Sequence, residues 1–170
     1  MRKLFLCFIF AMVTGLALVS CSKDEVYQNR ESFTENTWER ITDGKTITFS
    51  NIIIEDTTSV YDIYVDIRHT PFINEREVKM LMKVIYPNGI TRQSIHTVKL
   101  RDRFDKEWVG EAMGDMIDVE EKVKRFMAFP EKGTYTITIT NLGKYSEMVG
   151  IMDLGIKIKK SNPKDYKNVK

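Results

Sequence analysis

The stretch Val60 to Thr70 reads VYDIYVDIRHT. Tyr61, Ile63, Val65 and Ile67 fall on alternate positions, with Asp62, Tyr64, Asp66 and Arg68 between them. Successive side chains of an extended chain point to opposite faces, so this period of two predicts a half-buried antiparallel strand. The β-branched content of the apolar face supports the same reading.

The rule carries outward in both directions. Val78 to Tyr86 puts Val78, Met80, Met82, Val84 and Tyr86 on one face against Lys79 and Lys83 on the other. Pro87-Asn88-Gly89 then closes a turn, where a glycine supplies the positive φ a tight hairpin needs, and Thr91 to Leu100 returns. Gly133 opens TYTITIT (Thr134 to Thr140), with threonines outward and Tyr135, Ile137 and Ile139 inward. Leu154, Ile156 and Ile158 make a last strand against Lys157 and Lys159. On the N-terminal side, Thr46 to Ile54 is rich in β-branched residues and follows a turn at Asp43-Gly44. Val119 to Phe129 fits a strand or a short helix, because five charges interrupt its apolar pattern. About eight strands at short spacing, without a βαβ rhythm, predict an all-β fold: an antiparallel β-sandwich, jelly-roll-like, over residues 46–160. Residues 161–170, with Pro163, are read as a flexible tail.

The chain starts differently. Arg2 and Lys3 precede an apolar run from Leu4 to Leu18, which is short for a membrane span and has the length of a signal peptide core. It ends in Leu18-Val19-Ser20-Cys21, a pattern resembling the lipobox of bacterial lipoproteins. A signal over residues 1–20 and a lipidated Cys21 follow as expectations. Cysteine arithmetic agrees: of the two cysteines Cys7 leaves with the signal, so Cys21 has no partner for an internal disulfide. Acylation would remove a free thiol and provide a lasting anchor, at about 0.8 kcal/mol per buried methylene. Lys23-Asp24-Glu25 resembles the surface-export signal of Bacteroidota lipoproteins and reads equally well as a solvated tether. Residues 21–45 are therefore read as a lipidated start and tether. The aromatics Tyr27, Phe33 and Trp38 suggest that its later part docks on the domain, as an edge strand.

Composition limits the partners. Of 26 Lys and Arg, Arg2 and Lys3 leave with the signal, so 24 basic residues face 24 acidic ones. A neutral chain with interspersed charges offers no field for nucleic acid. The partners this leaves are a membrane, reached through the anchor, and envelope proteins.

The search for chemistry yields little. His69 and His96 are the two histidines, and neither stands in a metal spacing. No G-x-S-x-G elbow occurs. Acids gather around Trp108 (Asp102, Asp105, Glu107, Glu111, Asp115, Asp118) without a calcium-loop pattern, and a solvated loop is the better reading. A glycosidase carboxylate pair can come from distant strands, and nothing selects one. No catalytic residue, metal or cofactor is assigned, and no enzyme is expected. Arg68, His69 and Trp108 form a candidate binding surface, although each also reads as strand end or core. Trp38 and Trp108 would serve as sugar-stacking platforms if exposed, with core the favoured reading. Met80, Met82, Met148 and Met152 read as gap-filling core.

Several pieces together resemble the GldH family, gliding-motility lipoproteins of Bacteroidota. They are the lipobox at Cys21, Tyr27, the strand Tyr64-Val-Asp-Ile-Arg68-His69, Asn74, Pro87-Asn-Gly89, Trp108-Val-Gly110, Gly133-Thr-Tyr135 and Gly150-Ile-Met-Asp-Leu-Gly155-Ile-Lys-Ile158. The chain departs from the family pattern in the glycine-poor stretch after Trp108 and in Asn141 to Ser146. The resemblance implies a non-enzymatic accessory lipoprotein of the gliding machinery, linked to type IX secretion. It implies an outer-membrane location, on either the periplasmic or the cell-surface face, and protein partners from motility or secretion. The alternative is a surface glycan-binding β-sandwich lipoprotein, which would need Trp108 or Tyr64 exposed beside polar groups.

Overall fold

The computed structural model describes residues 24–40, 46–102, 104 and 107–162. The signal segment, Cys21, the Asp43-Gly44 turn and the tail beyond 162 lie outside these residues.

Eleven antiparallel strands form among the described residues, more than the eight expected. β1 (Glu25–Ser32), β11 (Ile151–Lys160), β4 (Val60–His69), β8 (Met116–Ala128) and β7 (Glu111–Met113) make one sheet, in that order. β3 (Ile47–Ile54), β9 (Gly133–Asn141), β5 (Glu77–Ile85) and β6 (Thr91–Lys99) make the second. β2 (Thr37–Glu39) pairs with β10 (Glu147–Val149) at one end. The chain crosses repeatedly between the two sheets, in jelly-roll-like fashion. The uncounted strands are β2, β7 and β10, three residues each, too short to carry a period.

The core lies between the sheets and is built from the alternation the sequence displays. Ile63, Val65, Met80, Met82, Ile137, Ile139, Ile156 and Ile158 are wholly buried. Tyr61, Phe129, Tyr135 and Tyr86 form a chain of edge-to-face rings at centroid distances of 4.8–5.3 Å, geometry that adds to their area burial. Met148 joins the core and Met152 is half-buried. Trp38 is buried and stacks on Phe33 at 5.4 Å.

Three expectations are revised. Residues 21–45 are not a tether throughout: β1 begins at Glu25 and pairs along its length with β11. Only Ser22, Lys23 and Asp24 separate it from Cys21, and the Asp24 carbonyl already accepts the Lys160 amide at 2.8 Å. The late aromatics do dock, Tyr27 donating its hydroxyl to the Ser50 carbonyl at 3.1 Å. Secondly, of the strand and the short helix open to Val119 to Phe129, the strand is found, ending at Ala128 and interrupted by register shifts between Tyr61 and Tyr64 of its partner β4. Phe126 sits there at φ +53°, which explains why no clean alternation was readable. Thirdly, the outer face of β4 is not solvated. Asp62 and Asp66 are buried, covered by long side chains of β8 and β11.

Candidate binding surface

The three residues singled out on and near β4 do not share one surface. Arg68 and His69 are consecutive on a strand, so their side chains leave on opposite faces. Arg68 lies on the outer face, where its Nε and Nη2 donate to the two carboxylate oxygens of Asp118 at 2.7 and 2.8 Å. Asp153 adds a second carboxylate at 3.8 Å and reaches Arg30 at 3.7 Å. This bidentate fork holds the Asp118 carboxyl below its usual range.

His69 lies inside, fully buried, with Nδ1 2.9 Å from the Thr70 carbonyl oxygen and Nε2 without a hydrogen-bond partner. Burial drives its pKa down and keeps the ring neutral. Trp108 packs on it at 4.9 Å, and the Arg101 guanidinium covers Trp108 at 3.2 Å from the ring centroid. The structure therefore joins His69 with Trp108 and leaves Arg68 apart. The period-two rule already implied this split. What it could not supply was Arg101, which meets Trp108 through a bridge between two loops.

Tyr64 is flanked in the same way. Lys122 and Lys159 lie over its ring at 5.2 and 5.6 Å. Both aromatic platforms that a stacked sugar would need are thus occupied by the chain's own cations, which weighs against the glycan-binding alternative.

The outer face of the five-stranded sheet is instead a polar lattice set by cross-strand register. Asp66 faces Glu120 on β8 directly, and Lys157 on β11 bonds Glu120 and stands 3.9 Å from Asp66. Burial raises the Asp66 pKa, and hydrogen bonding to Glu120 adds to this against the pull of Lys157. Burial opposes ionisation of Glu120, but its bond to Lys157, the charge of Lys157, the bond to Asp66 and the charge of Lys159 together outweigh it and lower its pKa. Further along β4, Asp62 accepts from Lys122 Nζ at 2.6 Å, Ser161 Oγ at 2.6 Å and the Phe126 amide at 3.0 Å. Burial opposes ionisation of Asp62, but these three donors outweigh it and hold the carboxyl low. Gln28, Arg30, Asp66, Glu111, Glu120 and Lys157 border a shallow open groove here. Of the carboxylates in it, Asp66, Asp118 and Glu120 are held by internal pairing.

A Ser–His contact that the sequence reading missed occurs on β6, Ser94 Oγ lying 2.8 Å from His96 Nε2. Burial depresses the His96 pKa first, and the charge of Lys124 depresses it further. The Ser-His-Asp arrangement sets a carboxylate behind the histidine, and the charge acting here has the opposite sign. Among the described residues no group of His, Cys, Asp and Glu could hold a metal ion. No described helix is long and apolar enough to cross a membrane.

The motif residues resolve into architecture. Asn74 donates to the Glu147 carbonyl and accepts from the Val149 amide, tying β10 to the loop after β4. Gly150 donates to the Asn36 carbonyl and accepts from the Thr70 amide, both at 2.8 Å, so three segments meet at one peptide.

The profile described as GldH lipoprotein matches residues 25–158. A curated protein named "Gliding motility lipoprotein GldH homolog", from Christiangramia forsetii, is 27% identical over 169 residues, covering 95% of this chain and 99% of that protein. Among solved structures, two of infectious bursal disease virus, strains Gt and Gx, align with TM-scores of 0.24 and 0.18 at 15% and 13% identity. They cover 87% and 86% of this chain, which spans less than half of either viral chain, at 45% and 41%.

Proposed function

The chain belongs to the GldH lipoprotein family, and from that premise we propose that it is a lipid-anchored accessory protein of the gliding-motility machinery and its linked type IX secretion apparatus. In this reading acylated Cys21 moors it to the outer membrane, and the β-sandwich works by binding protein partners, without catalysis. The observation that carries the reading is the end-to-end relationship to a gliding-motility lipoprotein, which spans nearly all of both chains. Two features of the molecule support it. The sandwich starts at Glu25 with three residues between it and Cys21, so the anchor would hold it within about 13–14 Å of the bilayer, at about 3.3–3.6 Å for each of four steps. The titratable groups on the outer face of β4 are spent on one another, as suits a contact surface.

Metabolic labelling with palmitate and fractionation test the anchor. The wild type is expected to label and to pellet with outer membranes, and Cys21→Ala to do neither. Labelled, pelleted Cys21→Ala would refute the anchor. Affinity purification of the intact lipoprotein from its host membrane tests the role, with motility or secretion components expected to co-purify. Their consistent absence, together with unimpaired gliding and secretion in a deletion strain, would refute it.

A further inference from the structure

We propose that the protein pairs with a second copy of itself through the free edge of β6. β6 is the last strand of its sheet and pairs with β5 in unbroken register from Thr91↔Ile85 to Lys99↔Glu77. The other long edges are interrupted: β3 is bulged between Phe49 and Ile52, with Asn51 at φ +59°, and β1 shifts register near its start. Bulges, prolines and short strands are the usual means of blunting an edge. β6 has no proline and no bulge, and it spans nine residues.

Which groups lie open follows from the hairpin. The Tyr86 amide donates to the Ile90 carbonyl at 2.8 Å, and the Leu100 amide to the Arg76 carbonyl at 3.0 Å. Hydrogen-bonded pairs alternate in an antiparallel ladder, so the even residues of β6 bond to β5. The backbone groups of Thr91, Gln93, Ile95, Thr97 and Lys99 therefore point to the open edge, and all five side chains are exposed.

The occupant follows from the self-complementarity of this strand. Its midpoint is Ile95, so two copies overlap fully only in the antiparallel register that sets Ile95 against Ile95. In that register Gln93 faces Thr97 of the copy, Thr91 faces Lys99 and Arg92 faces Val98. No like charges stand opposite each other, and every outward N–H and C=O of the five residues gains a partner. Ile95 is 58% exposed and lies beside Leu81 of β5 on the outer face. Pairing would bury it and join two Leu81–Ile95 rows into one across the dyad. The dyad is normal to the sheet, so the five-stranded sheets of both copies face the same way. Both chain starts then leave from the same layer, and two anchors can share one bilayer. A strand pair alone is a small interface, and confinement at a membrane raises its effective concentration.

The test uses full-length chains carrying Gln93→Cys or Thr97→Cys, expressed together or singly, with mild oxidation in isolated membranes. Opposed residues in a hydrogen-bonded pair have Cα atoms about 5.5 Å apart, within disulfide reach. Two Gln93 positions lie four residues apart along the pair, about 13 Å. The mixture is expected to give a disulfide-linked dimer, and each variant alone no more than the parent chain. Adding Ile95→Lys, which sets like charges on the dyad at an exposed position, is expected to cut the mixed dimer at least tenfold with an unchanged circular dichroism spectrum. Absence of the mixed dimer would overturn the proposal. So would equal cross-linking of the single variants, or mixed dimers that persist with Ile95→Lys.

Discussion

Asp66 is a carboxyl placed where ionisation is costly. It is 5% exposed, faces Glu120 across the strand pair and has the more distant Lys157 and the charge of Arg30 in compensation. Because its pKa is raised in the folded chain, the folded state binds more protons than the unfolded one above the unfolded pKa of about 3.9. Stability from this group is complete below that value and is lost as pH rises through the folded pKa. Asp66→Asn keeps a donor toward Glu120 and removes the titration. Its unfolding free energy is expected to equal the wild type's at pH 4 and to exceed it at pH 8, where the wild type has lost the contribution of the protonated carboxyl. Urea unfolding at pH 4, 6 and 8, followed by tryptophan fluorescence, measures the difference. A variant weaker than wild type at pH 8 would mean that Asp66 is ionised and held by Lys157. None of this was legible in the sequence. Asp66 reads there as the polar half of an alternating strand, and its burial comes from the register with β8 and β11, which residue types alone do not specify.

Legibility changes with the length and regularity of each element. β4, β5 and β9 carry clean alternation over nine or ten residues, and the apolar face the pattern predicts is buried in each, with Asp62 and Asp66 of β4 buried besides. In the sequence β1 reads as tether passing into a docked edge strand with no fixed start, because EVYQNRES buries little: Val26, Tyr27 and Arg30 are only half-covered. It is a strand because the open edge of β11 needs pairing, a demand that arises 120 residues away in the chain. The short strands are likewise imposed by ties rather than by pattern, and Gly150 sits at one of these. It sits at φ +95°, and a Cβ there would lie 2.7 Å from the Ile73 Cα and 2.8 Å from its nitrogen. Both neighbours are backbone and cannot turn aside. Gly150→Ala is therefore expected to cost about 3 kcal/mol or more, combining left-handed strain with displacement of the loop after β4. Gly89 also has positive φ, but a Cβ there meets nothing within 4 Å, so Gly89→Ala should cost about 1 kcal/mol. Chemical denaturation of the two variants side by side separates strain from steric contact. Equal losses would mean that the three-segment junction at Gly150 can relax.

At the scale of the whole molecule the two ends of the chain close one sheet. β11 lies between β1 and β4, so the last strand to be made joins the first strand to the centre. It also buries Ile151, Leu154, Ile156 and Ile158 completely. Of the longer pairings only β5 with β6 joins consecutive long strands across a tight turn; β4 with β8, β3 with β9 and β1 with β11 each close a long stretch of chain. Loop entropy must be spent before such contacts form, so folding in milliseconds to seconds is expected. The topology further makes β11 the keystone. A chain ending at Gly150 keeps ten of the eleven described strands, yet β1 has nothing to pair with and β4 is left with one open side. It is expected to lack a cooperative urea transition. A chain starting at Phe33 loses only an edge strand and should keep a cooperative transition at a lower midpoint, with more aggregation from the bared edge of β11. Stopped-flow refolding and urea titration, both read by Trp38 and Trp108 fluorescence, compare the two truncations with the whole domain. A cooperative transition in the chain ending at Gly150 would show that the four-stranded sheet and its facing strands fold without β11, and would move the keystone to the β4–β8 pair.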